Sequence, residues 1–471
     1  MLGDRAHYGI EVGLLGLAVA LAYANSFIGV FQFDDYYAIV DNPTVHSFPA
    51  WWADLLRGGI RPLLKLTYLI NYTSDGLFGF HLFNVALHLG NTVLVYLLSR
   101  LFVSTKLEPS PPQRFLPFLT ALVFAVHPMQ AEAVTYITGR SSSLMSFFYL
   151  GSLLCFQRGR IANRWLLTYL AGPLLFLLAF ATKETSISLP VALLLFDVTV
   201  QRAPFTVRRV LDHLVYWVLA SAFMLVAITH PGYRRLLVQS ISSTTFYDAL
   251  LTQIHGVCYL LFHAVIPISL NIDPDLSVIR TLSFPVTVEM VFIVGVLICG
   301  LAALWRHPHL GFGILWFLFH TFVVYTLAAR TDVINERHLY LGSWGLCLLF
   351  AMTLARPFRG WQTGSKMFWL SACCIVLLLT GTTIARNRVY ASEILLWQDT
   401  VKKSPGKARV HNNLGYAYYL SGDRKKAREA FVKALQLNPG WVVSRNNLIL
   451  LDAGIQSLTP SPLHVPPPSS P

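Results

Sequence analysis

Charge is what this sequence has least of. Asp, Glu, Lys and Arg make up 13% of its 471 residues, about half the share found in a soluble domain. So little polar surface excludes a string of water-facing globular domains, which the length alone would suggest. Patterned cysteine is missing too. Cys155, Cys258, Cys299, Cys347, Cys373 and Cys374 all sit inside apolar runs. They have no metal-ligand spacing and no disulfide framework, and read as small buried apolar residues. The formal net charge of +13 is not gathered into a basic stripe on a polar segment, so no nucleic-acid partner is expected. The apolar run from Ile10 to Phe31 is long for a signal peptide and has no small-x-small cleavage site, so it is expected to stay as a first membrane span.

What is present is apolar length. Hydrophobic residues form 55% of the chain. They gather into runs that approach the roughly 20 residues of a span: Ile10–Phe31, His81–Phe102, Phe115–His127, Ser142–Gln157, Trp165–Thr182, Thr185–Val200, Leu211–Ile228, Ala249–Leu270, Val286–Trp305, Leu310–Ala328, His338–Leu354 and Met367–Ile384. The loops between them are of two kinds. One set is almost purely basic: Arg100, Lys106, Arg114, Arg158, Arg160, Arg164, Arg202, Arg208, Arg209, Arg306, Arg356, Arg359 and Lys366, against Glu108 and Asp212. The other set mixes both signs. The positive-inside rule puts the basic loops and the N-terminus in the cytoplasm, and the mixed loops and the C-terminal region on the outer face. A full crossing by Ala249–Leu270 would invert that bias. That run is therefore expected to be re-entrant or to lie on the outer face, which leaves about eleven crossings.

The expected fold is all-α, a polytopic membrane domain over residues 1–391 followed by a short helical repeat. In the first outer loop, residues 32–79, Trp51, Trp52, Leu55 and Leu56 fall on one helical face. Pro62 opens a second short helix through Leu63, Leu66 and Leu69. Both read as amphipathic helices at the membrane interface.

The C-terminal region, residues 392–456, carries a helical-hairpin pattern: Leu414, Gly415, Tyr418, Ala427, Phe431, Ala434 and Pro439. Small residues let two helices approach, large ones fill the seam, and the proline ends the second helix. Asn412-Asn413-Leu414 recurs as Asn446-Asn447-Leu448, and Pro405 recurs as Pro439, each 34 residues apart. That is the tetratricopeptide period. The chain holds one full repeat, the second helix of a preceding one with Trp397 at its large position, and the start of a following one. Fewer than about three repeats rarely stand alone, so the unit is expected to dock on the membrane domain. Residues 457–471 are Pro/Ser-rich and expected to be disordered.

Ionisable residues cluster at the outer ends of the predicted spans. Asp34-Asp35 follows the first span, flanked by Phe33, Tyr36 and Tyr37. Arg61, His127, Glu132, Arg140, Lys183, Glu184, Glu336, Arg337 and His338 lie on the same side. A carboxylate pair ringed by cations suits transfer of a group from an anionic, phosphate-bearing lipid. The carboxylate takes a proton from the acceptor, and the cations hold the phosphate as it leaves. A divalent ion held by Asp34, Asp35 and Glu336 is an open alternative.

The run Phe33-Asp34-Asp35…Asn42-Pro43, Arg61-Pro62-Leu63, His81-Leu82-Phe83-Asn84…His88 resembles the first loop and second span of the transmembrane and tetratricopeptide-repeat O-mannosyltransferases. His127-Pro128…Glu132-Ala133-Val134, Gly139-Arg140, Lys183-Glu184, Glu336-Arg337…Leu339-Tyr340-Leu341 and the repeats continue the resemblance in order. It implies a GT-C glycosyltransferase fold, a polyprenyl-phosphate sugar donor and inverting transfer. Asp34 or Asp35 would be the base, and Arg61, Arg140, Lys183 and Arg337 would bind the donor phosphate. The remaining pocket candidates are His127, Glu132, Glu184, Glu336 and His338. The family's eukaryotic members carry many more repeats, which points to a bacterial relative in an inner membrane, or to the endoplasmic reticulum if the chain is eukaryotic. The acceptor would be a hydroxyl of a protein or glycan, docked on the repeats. A scaffold without enzymatic activity, recruiting partners through its repeats, is the competing reading. A transporter is disfavoured because the charges sit at one face rather than at the bilayer midplane.

Overall fold

The computed structural model describes residues 2–74, 76–103, 114–200, 206–235, 238, 245–323, 334–358 and 364–454. Lys106, Glu108, Arg202, Arg359, the end of the run Leu310–Ala328 and the Pro/Ser-rich residues 457–471 lie outside the described residues. Among the described residues every regular element is a helix. The longer ones are α1 (Leu2–Tyr23), α2 (Phe48–Leu56), α3 (Pro62–Ser74), α4 (Gly76–Val103), α5 (Leu116–Val126), α6 (Arg140–Ile161), α7 (Gly172–Phe180), α8 (Leu189–Val200) and α9 (Val207–Thr229). There follow α10 (Phe246–Val265), α11 (Phe284–Arg306), α12 (Pro308–Leu318), α13 (Ser343–Ala355), α14 (Gly364–Val389), and four repeat-unit helices, α15 (Glu393–Lys403), α16 (Ala408–Leu420), α17 (Arg424–Leu437) and α18 (Val442–Asp452).

Among the described residues, five stretches are long and apolar enough to cross a bilayer: His7–Ile28, Gly76–Phe102, Val207–Thr229, Phe284–Arg306 and Lys366–Val389. Leu116–Val126, Leu167–Phe180 and Ser343–Ala355 are shorter apolar helices. The spans keep large apolar side chains on their outward faces, as lipid contact requires. On α1, Leu15, Val19 and Ala22 are buried, whereas Leu14, Leu17 and Leu21 stay about half exposed. Helix α10, which covers most of the expected re-entrant run, is not among the five stretches.

The membrane core closes around Trp316 and Trp344, both fully buried, with ring centroids 4.7 Å apart. Their helices, α12 and α13, touch backbone to backbone. A Cβ on Gly345 would stand 2.4 Å from the Gly313 carbonyl oxygen, the small-residue contact that lets helices associate in lipid.

In the first loop, the Ser47 hydroxyl accepts from the Ala50 N–H at 3.4 Å and a proline follows at the start of α2, an N-terminal stop signal. The expected face is rotated. Trp51 turns inward and donates its indole N–H to the Pro62 carbonyl at 2.9 Å. The exposed stripe is Phe48, Trp52 and Leu56, one helical turn apart.

The repeat unit has the expected register. Helices α16 and α17 form the full repeat, α15 the preceding second helix and α18 the following first one. It packs on the membrane domain. The Trp397 ring meets Phe33 edge-on at 5.0 Å. Lys407 Nζ is 2.6 Å from Asp273 Oδ1, and Arg409 Nε donates to Asp273 Oδ2 at 2.8 Å. The Ser404 hydroxyl donates to the Asp273 carbonyl at 2.9 Å. Burial opposes ionisation of Asp273, but Arg409 and Lys407 together hold its carboxyl below its usual range.

Candidate active site

The turn after α1 sends its two carboxylates in different directions. Phe33 takes a left-handed backbone, φ 51°, a conformation a bulky residue adopts only under strain. Asp35 then points into the protein and is fully buried. Its Oδ2 accepts from the Gln32 N–H at 3.0 Å and its Oδ1 from the Thr138 N–H at 2.9 Å. Burial pushes this carboxyl up to about 8; the two backbone donors pull against that shift, and Asp34 adds slightly to it. Asp34 is anchored by its backbone N–H, which donates to the Tyr136 hydroxyl at 2.9 Å. Its side chain keeps 18% exposure and lies 3.5 Å from Arg337 Nη2.

Arg337 is held from three sides. Its backbone N–H donates to Glu132 Oε2 at 3.1 Å, its Nε is 3.6 Å from Glu132 Oε1, and its guanidinium lies 5.6 Å from the Tyr136 ring centre. Glu132 is fully buried. Burial lifts its carboxyl to about 7, with Arg337 pulling down and Glu336 pushing up. Glu336 accepts from the Asn271 N–H and stands 3.4 Å from Arg386 Nη2. Burial raises its carboxyl as well. Arg386 reaches onward to Asp399 at 3.2 Å and to the Tyr390 hydroxyl at 3.3 Å. A network of charges thus runs from Asp399 in the repeat unit to the residue next to Arg337.

Arg337 also lines a cleft, with Ser142, Met145, Ser146, Thr185, Ser188, His320, His338 and Leu341. The cleft is narrow, and part of it is open to the surroundings. Lys183 stands behind its wall, donating to the Ser142 hydroxyl at 3.0 Å. Next along the chain, Glu184 takes Arg61 in a bidentate pair at 3.0 and 2.6 Å, each side chain about a quarter exposed. Burial opposes the Arg61 charge, and Glu184 more than offsets it, raising the pKa.

Two expected site residues are built into the frame. Arg140 is fully buried and surrounded by protein acceptors: Asn84 Oδ1 at 2.6 Å, the Thr67 carbonyl at 3.1 Å and the Phe80 carbonyl at 3.0 Å. It ties α3, α4 and α6 together. His127 takes the Met129 N–H on Nδ1 at 3.3 Å and places Nε2 3.0 Å from the Ala264 carbonyl. So Asp34, Glu132, Glu336 and Arg337 come together in one network. His338 lines the cleft, Lys183 stands behind its wall on Ser142, and Glu184, next to Lys183 in sequence, holds Arg61.

Known proteins sort these observations. The tetratricopeptide repeat family matches residues 408–441. Protein O-mannosyl-transferase F38B6.6 of Caenorhabditis elegans is 26% identical, over 93% of this chain and 65% of that protein. Protein O-mannosyl-transferase TMTC3 of Mus musculus is 26% identical, over 93% of this chain and 52% of its own length. Protein O-mannosyl-transferase TMTC1 of Homo sapiens is 27% identical, over 92% and 56%.

This chain is a relative of the protein O-mannosyl-transferases.

It spans about half to two thirds of the length of these curated relatives. No solved structure matches. Among the described residues of this mannosyl-transferase relative, no group of three or more His, Cys, Asp or Glu side chains has a metal-holding arrangement. The Asp34, Asp35 and Glu336 set does not converge: Asp35 and Glu336 are occupied by the separate partners given above.

Sequence reasoning missed Tyr136, Arg386, Asp399 and the hydroxyl-bearing cleft wall. Arg386 had a signal, since it closes an apolar run and a charge there needs a partner. Ser142 and Ser146 had one too, two hydroxyls a helical turn apart at the start of an apolar helix. Tyr136 and Asp399 carry none that stands out from ordinary loop and repeat residues.

Proposed function

We propose that this chain is an inverting membrane glycosyltransferase of the GT-C type. It moves a sugar from a polyprenyl-phosphate donor to a hydroxyl of a protein, on Ser or Thr, or of a glycan, at the periplasmic or luminal face. The observation that carries the reading is the Asp34–Arg337 pair, 3.5 Å apart, with Arg337 also forming the wall of the cleft beside Lys183 and Ser142. Asp34 is the base. Its carboxylate takes the proton from the acceptor hydroxyl, the acceptor oxygen attacks the anomeric carbon, and the bond to the phosphate oxygen breaks from the opposite side. Arg337 and Lys183 stabilise the charge left on the polyprenyl phosphate. Arg61 is a further cation for the donor phosphate. Asp35 and Arg140 shape the loop instead of touching substrate, because both are fully buried and hydrogen-bonded to protein groups. The relatives' name makes mannose the first sugar to test.

The same reading has about eleven crossings, the three shorter apolar helices among them. An eleven-residue helix such as Leu116–Val126 rises about 16 Å, so it crosses only together with its flanking turns. The repeat unit then shares the outer face with Asp34 and presents the acceptor.

The test uses membranes carrying the full chain, supplied with radiolabelled mannosyl polyprenyl phosphate. Protein-bound label is compared between the unchanged chain and Asp34→Asn. Loss of transfer with normal membrane insertion supports the reading. Equal labelling overturns it in favour of a scaffold.

A further inference from the structure

Two of the hydroxyls on the cleft wall have no hydrogen-bond partner in the protein. Ser146 is fully buried, and its Oγ has no hydrogen-bond partner. The Thr185 Oγ1 is likewise buried without one. Ser142 accepts from Lys183 Nζ, so its own O–H remains to donate. Ser188 donates to the Thr185 carbonyl at 2.9 Å and touches the Tyr149 hydroxyl at 3.2 Å. Unpaired buried hydroxyls are destabilising and uncommon. Two of them on one wall, beside a guanidinium and an ammonium, point to a ligand that supplies the missing partners.

The chemistry narrows that ligand. A hydroxyl both donates and accepts, so a wall of hydroxyls matches a polyhydroxylated ring. Met145 and Leu341 add apolar surface beside His320 and His338, which suits the C–H face of a pyranose. Arg337 at the same cleft suits a phosphate attached to that ring. Ser142 and Ser146 lie one turn apart on α6, and Thr185 comes from the short turn after Lys183, so the wall is rigid and made by two separate segments.

We infer that this cleft seats the sugar ring of the donor, and that Ser146 and Thr185 set which sugar is taken. The inference rests on the glycosyltransferase reading above and adds to it the place and the residues of sugar recognition.

The experiment measures binding, so it needs no acceptor. The full chain in nanodiscs is titrated with three probes: mannosyl polyprenyl phosphate, glucosyl polyprenyl phosphate and bare polyprenyl phosphate. Ser146→Ala and Thr185→Val are made separately, so a folding failure in one leaves the other to decide. Each removes only an unpartnered hydroxyl, and thermal melting is expected to hold or rise. Each is expected to weaken the preferred sugar-bearing lipid about 3- to 10-fold and to leave bare polyprenyl phosphate within about twofold. Equal weakening of all three probes, or of none, overturns the sugar seat while leaving the donor reading in place; in the second case the cleft holds only water. If the unchanged chain binds no polyprenyl phosphate at all, the donor reading fails, and this inference fails with it.

Discussion

Arg337 Nη2 stands 3.5 Å from Asp34 Oδ2. A relaxed guanidinium–carboxylate hydrogen bond closes to about 2.7–2.9 Å, so the two groups are held near one another without being locked. Glu132 holds the other contacts: its Oε2 accepts from the Arg337 backbone N–H, and its Oε1 lies 3.6 Å from Arg337 Nε. The result is a partly exposed carboxylate kept beside a cation that lines the cleft.

The two neighbouring aspartates should therefore fail in different ways. Asp34→Asn is expected to insert and melt like the unchanged chain and to lose about 10²- to 10⁴-fold in transfer rate. Asp35→Asn turns an amide N–H₂ toward one of the two backbone N–H groups it now serves. An unpaired buried donor costs about 1–3 kcal/mol, so this variant should melt lower. Transfer assays alongside melting curves separate the two. A stable Asp35→Asn with no transfer, beside an active Asp34→Asn, exchanges their roles.

Arg337→Lys keeps the charge and removes the fork that spans Glu132 and Asp34. Lysine holds a phosphate as a point charge but cannot bridge two carboxylates in one plane. Transfer is expected to drop at least tenfold, with most of the loss in kcat because the charge on the leaving phosphate develops in the transition state. A loss confined to KM would make Arg337 a ground-state binder only.

Much of this site was legible in the sequence, and the reason for the rest is geometric. The Asp34-Asp35 pair, Glu132, Lys183 and Arg337 stood out because ionisable residues at the ends of apolar runs need a purpose. Which aspartate is buried depends on the Thr138 N–H, about a hundred residues away in the chain, and no local pattern encodes that. Arg140 looked like Arg337 from its place beside a span. Only the fold surrounds it with Asn84, Thr67 and Phe80. The repeat unit was the easier half, since a 34-residue period survives without tertiary knowledge and Trp397 lands against Phe33. Helical spacing groups Trp51 with Trp52, Leu55 and Leu56 on one face, but it does not say where the exposed stripe ends. The Trp51 hydrogen bond to Pro62 turns the helix.

The contact between first loop and repeat unit should weaken as pH rises. Glu393 opens α15, and burial pushes its carboxyl up to about 7, with the Phe33 N–H and the Tyr36 hydroxyl pulling against that shift. A carboxyl raised in the folded state contributes stability that is complete below its ordinary range, near 4.5, and is lost as pH rises through about 7. Hydrogen exchange in Ala408–Leu420, corrected for the intrinsic effect of pH, should quicken between pH 5 and 8. Glu393→Gln should flatten that dependence. An unchanged slope in the variant would assign the effect to another group.

Asp273 should act in the opposite sense, because Arg409 and Lys407 hold its carboxyl down. Its contribution is present above the ordinary carboxylate range and is lost as pH falls through its lowered value. The carboxylate is 3% exposed, while Lys407 is 23% and Arg409 10% exposed. Removing one side of such a pair costs roughly 2–5 kcal/mol, and the exposed lysine favours the lower end. Asp273→Asn should therefore loosen the repeat unit, seen as faster exchange in α16. A cycle with Arg409→Leu should show coupling, since each variant breaks the same contact. The functional consequence follows from what the repeats do. If they present the acceptor, Asp273→Asn loses transfer to whole-protein acceptors while binding of mannosyl polyprenyl phosphate stays intact. Loss of donor binding as well would mean that the repeat unit acts on the cleft itself, along the path from Asp399 through Arg386 to Glu336.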